Sequence, residues 1–212
     1  MVLRYVAAIV PPADILERVS KLREKLGDLK TAKVTQSPHI RVAHRGGYDP
    51  FAGWEPAMQE LASKTNPFEI KLGEPEFLGE FLLAVPIISP ELIRAHNESV
   101  KVITEHDELL EVRTEEEMQS FYESQSITTP YLTLATGVFG KEGFLGTNPM
   151  KKKILKEAKA ALKGATSFTA SELVLYEASI FGTSYDAKGI IQLGTQQLAQ
   201  VPVDFRQPAI AA

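Results

Sequence analysis

The chain has 212 residues, a formal net charge of −4, no cysteine, and 44% hydrophobic and 24% charged residues, which suits one globular domain or two small lobes sharing a core. The lack of cysteine excludes disulfides, thiolate metal sites and cysteine nucleophiles. With a pI near 5.7 there is no basic footprint for gripping a long nucleic acid, although a short ligand with one or two phosphates stays within reach.

Residues 3–10 predict an apolar strand. The start of the chain is too short an apolar run to span a membrane and reads as that strand, not as a signal peptide. Pro11-Pro12 break it, and a helix follows with Ile15, Leu16, Val19, Leu22 and Leu26 on one face and Gly27 as its stop. A strand is expected at 38–44, then a loop marked by Gly46-Gly47 and Asp49-Pro50, a helix at 54–64 and extended chain at 67–78. Residues 81–88 form a buried strand whose Pro86 suggests an edge or a terminus. Ser89-Pro90 opens a helix to about residue 105. Segment 107–123 carries Asp107, Glu108, Glu111, Glu115, Glu116, Glu117 and Glu123 against Arg113 alone. Thr114 and Glu117 make a capping box there, so a solvated helix is the default. Another strand near 129–134 is followed by a lysine-rich helix that starts at Asn148-Pro149 and ends at Gly164. Segments 168–181 and 189–195 read as a closing pair of strands. The order strand, helix, strand, helix, strand thus occurs twice.

The middle strand of each half carries a similar pattern. Ser37-Pro38-His39-Ile40-Arg41-Val42 and Thr129-Pro130-Tyr131-Leu132-Thr133-Leu134 both read polar, Pro, ring, aliphatic, polar, aliphatic. Side chains alternate along a strand, so His39 and Arg41 share one face while Ile40 and Val42 share the other. Tyr131 and Thr133 are set against Leu132 and Leu134 in the same way. Each segment presents two polar groups to a cleft and anchors itself in a core.

The pair resembles the twin His-x-Thr/Ser signature of the 2H phosphoesterases, the 2'-5' RNA ligase-like and cyclic phosphodiesterase family. The resemblance covers about residues 3–195, including the first strand and helix and segment 173–178, and departs at the acidic insertion, about 107–123, and in the tail after about 201. It implies an α+β fold of two pseudo-symmetric lobes, each an antiparallel sheet with helices outside, facing a central cleft within a single bilobal domain over 1–212. In the family the two His side chains act as acid and base on a 2',3'-cyclic phosphate or a 2'-5' linkage, the hydroxyl residues bind phosphoryl oxygens, and no metal or other cofactor is needed. Carried over, His39 and Tyr131 take the catalytic positions, and Arg41 and Thr133 bind substrate. Tyr185 falls where an aromatic near the cleft could stack on a base.

The sequence departs from the signature at two of its four positions. An imidazole with a pKa of about 6.5 both takes and gives a proton near neutrality, whereas a phenol of pKa about 10 donates but is a poor base. Arg41 stands where a hydroxyl is expected; its guanidinium forks two bonds to a phosphoryl group but fills space a ribose would need. Three functions stay open on these residues. One is a phosphoesterase or phosphoester-binding protein for a small nucleotide or RNA terminus. Another is an enzyme of a different class that uses His39 and Tyr131 for proton transfer on a non-nucleotide molecule. The last is a non-catalytic binding module.

Each residue also has a plainer reading. His39 as a satisfied, partly buried histidine, Arg41 on an edge strand, Tyr131 as a core aromatic and Tyr185 in a turn would all be unremarked in a globular protein. His44-Arg45 could extend a positive cleft wall or be a charge pair at a loop end. The run Gly137-Val138-Phe139-Gly140-Lys141-Glu142-Gly143-Phe144-Leu145-Gly146 lacks the Walker pattern and suits a connector or a cleft lid. Lys151, Lys152, Lys153, Lys156, Lys159 and Lys163 read as the solvated side of a helix. The His residues are too scattered for a metal site. Asn97-Glu98-Ser99 matches a glycosylation sequon by chance. Expected partners are a small molecule, neither long nucleic acid nor membrane, for a monomer in the cytosol or nucleus.

Overall fold

The computed structural model describes residues 3–28, 38–47, 51–79, 82–107, 130–136, 149–179, 185–195 and 198–199. In chain order the elements are β1 (Leu3–Ile9), α1 (Ala13–Asp28), β2 (Ile40–Gly47), α2 (Trp54–Lys64), β3 (Phe68–Leu72), β4 (Glu76–Leu78), β5 (Leu82–Ile88), α3 (Pro90–His106), β6 (Tyr131–Thr136), α4 (Pro149–Ala161), β7 (Ser167–Ala170), β8 (Glu172–Ser179), β9 (Tyr185–Gln192) and β10 (Leu198–Ala199). Local chemistry sets several of these bounds. Ser89 is extended and accepts a hydrogen bond from the Leu92 amide, with Pro90 in the first turn behind it, so α3 starts where its cap is. α1 runs one residue beyond Gly27, and β2 continues through Gly46 and Gly47.

Two antiparallel sheets result. One has the order β10-β9-β8-β1-β2. In the other, β5 is flanked by β6 on one side and by β4 and then β3 on the other, with β7 outside β3. The repeated order is real, but the sheets interleave. β3, from the first half, lies in the second sheet, and β8, from the second half, lies in the first. The expected strand at 168–181 is therefore two strands, β7 and β8, which part at Ser171 and enter different sheets. Pro86 is not on an edge strand. Its carbonyl accepts from the Gly73 amide, and in extended chain a residue's nitrogen faces the same side as its carbonyl. The missing donor therefore points to the turn between β3 and β4, where no ladder bond is required.

A continuous apolar cluster joins both sheets to the helices, with Ile15, Val19 and Leu22 of α1, Leu61 of α2, Leu92 of α3 and Ile154 of α4. Ile40 and Val42 enter it from β2, and Leu132 and Leu134 from β6. Each such side chain stabilises the fold by about 1.5–3 kcal/mol when fully buried. A one-residue slip of either strand would turn both of its anchors outward, so burial fixes which face is polar.

Asp107 does not belong with the solvated acidic segment in which the sequence places it. Its carboxylate is buried and accepts a 3.0 Å hydrogen bond from Arg45 Nε, and the Arg45 guanidinium lies 5.2 Å from the centre of the Phe51 ring. With side chains 13% and 3% exposed, removing one partner leaves a buried charge poorly compensated. Arg45→Met is expected to lower unfolding stability by about 3 kcal/mol in urea titrations at neutral pH.

Candidate functional site

The motif strands β2 and β6 are edge strands of their sheets among the described residues. They lie against each other, with Cα atoms within 8 Å. On β2, Ile40 and Val42 are buried and Arg41 is exposed, opposite Ala8 of β1 on the face away from the main core. On β6, Leu132 and Leu134 are fully buried, whereas Thr133 is half-buried and Tyr131 is 39% exposed. All the polar motif side chains beyond His39 thus leave the core on neighbouring strands.

Both strands are bulged at the same place in the motif. Ala7 and Ala8 pair with Ala43 and Arg41, which leaves Val42 as the extra residue. Leu83 and Ala84 pair with Ala135 and Thr133, which leaves Leu134. Each bulged residue is the last of its six-residue pattern.

His39, just before β2, is half-buried against two aromatic rings. The centroid of Tyr185 is 4.7 Å away and that of Tyr176 is 5.9 Å away, and the two tyrosines meet edge to face at 5.7 Å. Tyr185 and Tyr176 stand on neighbouring strands β9 and β8, on the same apolar face as Val6 and Ala8. The structure brings His39 and Tyr185 together, and it adds Tyr176, which the motif comparison misses. The alternation Val174, Tyr176, Ala178 along β8 was the available signal, but which face of β8 meets His39 depends on pairing across three strands. His44 and Arg45 separate. His44 pairs with Val6 and faces the same side as His39, while Arg45 turns toward Phe51 and Asp107.

Elsewhere, α4 ends at Ala161, short of the expected Gly164; it buries Ile154 and Ala158 and exposes Lys152, Lys153, Lys156 and Lys159, as expected of a solvated helix face, while Leu162 is buried and Lys163 exposed in the turn that follows. Among the described residues no group of His, Asp and Glu is placed to hold a metal ion, and no helix is long and apolar enough to cross a membrane. The Gly137–Gly146 run, most of the acidic insertion and the tail after Val201 lie outside the described residues. A groove of about 290 Å³ beside the start of α2, lined by Tyr5, Phe51, Trp54 and Lys188, lies on the core side of the first sheet and not on its motif face.

Burial pushes the Tyr176 phenol up to about 12, with Glu172 and Tyr185 adding to the effect. Below pH 10 the group is neutral in the folded and unfolded chain, and its contribution to stability is complete. As the pH rises from 10 through 12 the unfolded chain ionises first and that contribution is lost. Chemical unfolding is expected to show the wild type losing roughly 1–1.5 kcal/mol more than Tyr176→Phe between pH 9 and pH 11.

Searches against protein-family models and against curated proteins return no match. Solved structures do match. A crystal structure of E. coli LigT complexed with NADP+ is 18% identical with a TM-score of 0.57, covering 92% of this chain and 100% of that one. LigT complexed with 3'-AMP is also 18% identical, with a TM-score of 0.53 over 91% and 98% of the two chains. The protein TT0787 of Thermus thermophilus is 13% identical with a TM-score of 0.60 over 92% and 100%. At these identities the likeness is one of architecture. The chain has the LigT-like fold of the 2H phosphoesterases.

Proposed function

We propose that the chain binds a small phosphoester, a 2',3'-cyclic phosphate or a related nucleotide or RNA terminus, between β2 and β6 and cleaves it slowly. The observation that carries this reading is the placement of Arg41, Tyr131 and Thr133 on the outward faces of two adjacent, identically bulged strands, with His39 at the entrance to one of them. Arg41 and Thr133 hold phosphoryl oxygens, the guanidinium with two parallel bonds and the hydroxyl with one. No ion pair among the described residues ties Arg41 down. His39 takes a proton from the attacking water as its oxygen bonds to phosphorus, and the Tyr131 hydroxyl protonates the ribose oxygen that leaves. The proton returns from His39 to Tyr131 through solvent. Tyr176 and Tyr185 keep the imidazole in place for the transfer. LigT, which shares the fold, has been crystallised with 3'-AMP and with ATP, and the continuous core lets both lobes act as one unit.

A second reading has its own observation. Ile88, 61% exposed, and Tyr131 are the exposed large hydrophobic side chains among the described residues, and Pro86, the partner of Tyr131, alternates with Ile87 so as to share their face. An apolar rim suits a repurposed site for a non-nucleotide molecule, in which Tyr131 supplies one hydroxyl.

Exchange of Tyr131 separates the two. On the phosphoester reading, Tyr131→His restores a group that titrates near neutrality and raises turnover of 2',3'-cyclic nucleotides by about 10²-fold, the low end of general acid–base catalysis. Adding Arg41→Thr is expected to raise it further by opening room for the sugar. A folded double variant that neither cleaves any 2',3'-cyclic nucleotide nor binds 2'-AMP would discard the phosphoester reading in favour of the repurposed one.

A further inference from the structure

We propose that Arg23 and His96 are positioning residues through which each half of the chain sets the aim of the other half's motif strand. The proposal rests on the phosphoester reading only for the ligand that probes it.

The two contacts are related by the internal repeat. α1 follows β1 in the first half and α3 follows β5 in the second. From α1, Arg23 Nε donates to the Leu134 carbonyl at 2.8 Å and Nη2 to the Thr133 carbonyl at 3.3 Å, both on β6. From α3, His96 Nδ1 donates to the Val42 carbonyl of β2 at 2.7 Å. Ser99 stands beside it, bonded to the His96 carbonyl at 2.7 Å and 3.5 Å from the Val42 oxygen. Each helix therefore reaches across to the strand of the opposite half, and each seizes the carbonyl of the bulged residue.

The bulge is what makes the contact consequential. A bulged residue drops out of the regular ladder, so its buried carbonyl needs a donor from elsewhere. The bulge also raises the local twist and so sets the direction of the side chains next to it. Those side chains are Arg41 and, two residues further back, His39 in the first half, and Thr133 with Tyr131 in the second. If the carbonyl were released, the bulge could shift by a residue, and a shift of one residue exchanges the faces of a strand. Burial argues the same way. His96 is 2% and Ser99 1% exposed, and Arg23 is half-buried. An apolar side chain would fill either place at less cost in desolvation, unless the carbonyls had to be met.

The test compares a pair of variants at each position, Arg23→Met with Arg23→Lys and His96→Leu with His96→Asn. Measurements are made on folded protein well below the melting midpoint. The readouts are the amide and His39 ring resonances by NMR and the affinity for 2'-AMP by calorimetry. Arg23→Met is expected to move the amides of Tyr131 to Ala135, in the other half, more than those of β1, and to weaken 2'-AMP by about ten-fold or more, as small misplacements at a site do. His96→Leu is expected to move the amides of β2 and to change the titration of the His39 ring. Arg23→Lys and His96→Asn, which keep a donor, should recover most of each effect. If the Met variant does not fold, Arg23→Gln, able to serve one carbonyl, must give an intermediate shift on β6. Variants that melt earlier yet leave the motif-strand amides in place and 2'-AMP affinity within about two-fold would show a purely structural role and overturn the proposal. If the wild type binds no 2'-AMP, the phosphoester reading falls while the amide shifts still decide the role of the pins.

Discussion

The extra residue in each motif strand imposes a constraint that reaches the rest of the molecule. Val42 and Leu134 put one more residue into an edge strand than its neighbour can pair, and the spare carbonyl in each case is met by a side chain from a helix of the opposite half. Ile40 and Val42, or Leu132 and Leu134, hold the inner face in the shared core. Together, anchor and pin leave the strand one register in which its polar residues face outward. The helices must lie where they do for the pins to reach, and α1 packs on α4 and α3 on α2 in keeping with that. Arg23 meets its carbonyls with a guanidinium whose burial lowers its pKa to about 10, so it remains a charged, strong donor at neutral pH.

The chemistry on the outward faces is asymmetric although the two motif strands carry the same bulge. One strand brings an imidazole and a guanidinium, the other a phenol and a small hydroxyl. The imidazole is wedged by two tyrosines, and Tyr176 resists ionisation because it is buried. Such a wall keeps His39 oriented without adding charge. On the phosphoester reading, the guanidinium supplies the positive charge that an anionic ligand needs on a chain whose net charge is −4. On the same reading, a site of this kind suits a ligand with one phosphate better than a long polyanion, which a chain of net charge −4 has little positive charge to neutralise.

Much of this was legible because it is local. The alternation in His39-Ile40-Arg41-Val42 and Tyr131-Leu132-Thr133-Leu134 is a property of any strand with one buried face. The Ser89-Pro90 start of α3 and the span of α2 follow from caps and spacing within a few residues. What could not be read depends on partners far away in the chain. Nothing near Ser171 says that β7 and β8 join different sheets; that follows from β3 and β1 lying on opposite sides of the core. Pro86 suggests an edge or a terminus because its missing donor is local, but the turn that excuses it is formed by residues 73–75. Asp107 reads locally as the first of many solvated acids, but its partner Arg45 lies 62 positions earlier in the chain. Tyr176, Arg23 and His96 carry no motif, and each acquires its role from the strand or helix it meets.

The most direct test of the central claim is a crystal structure of the protein with 2'-AMP. The phosphate is expected between β2 and β6, with the Arg41 guanidinium and the Thr133 hydroxyl on its oxygens and the His39 ring within hydrogen-bond reach. A nucleotide held at another surface, with Arg41 and Thr133 untouched, would contradict the assignment of the motif strands as a phosphoester site.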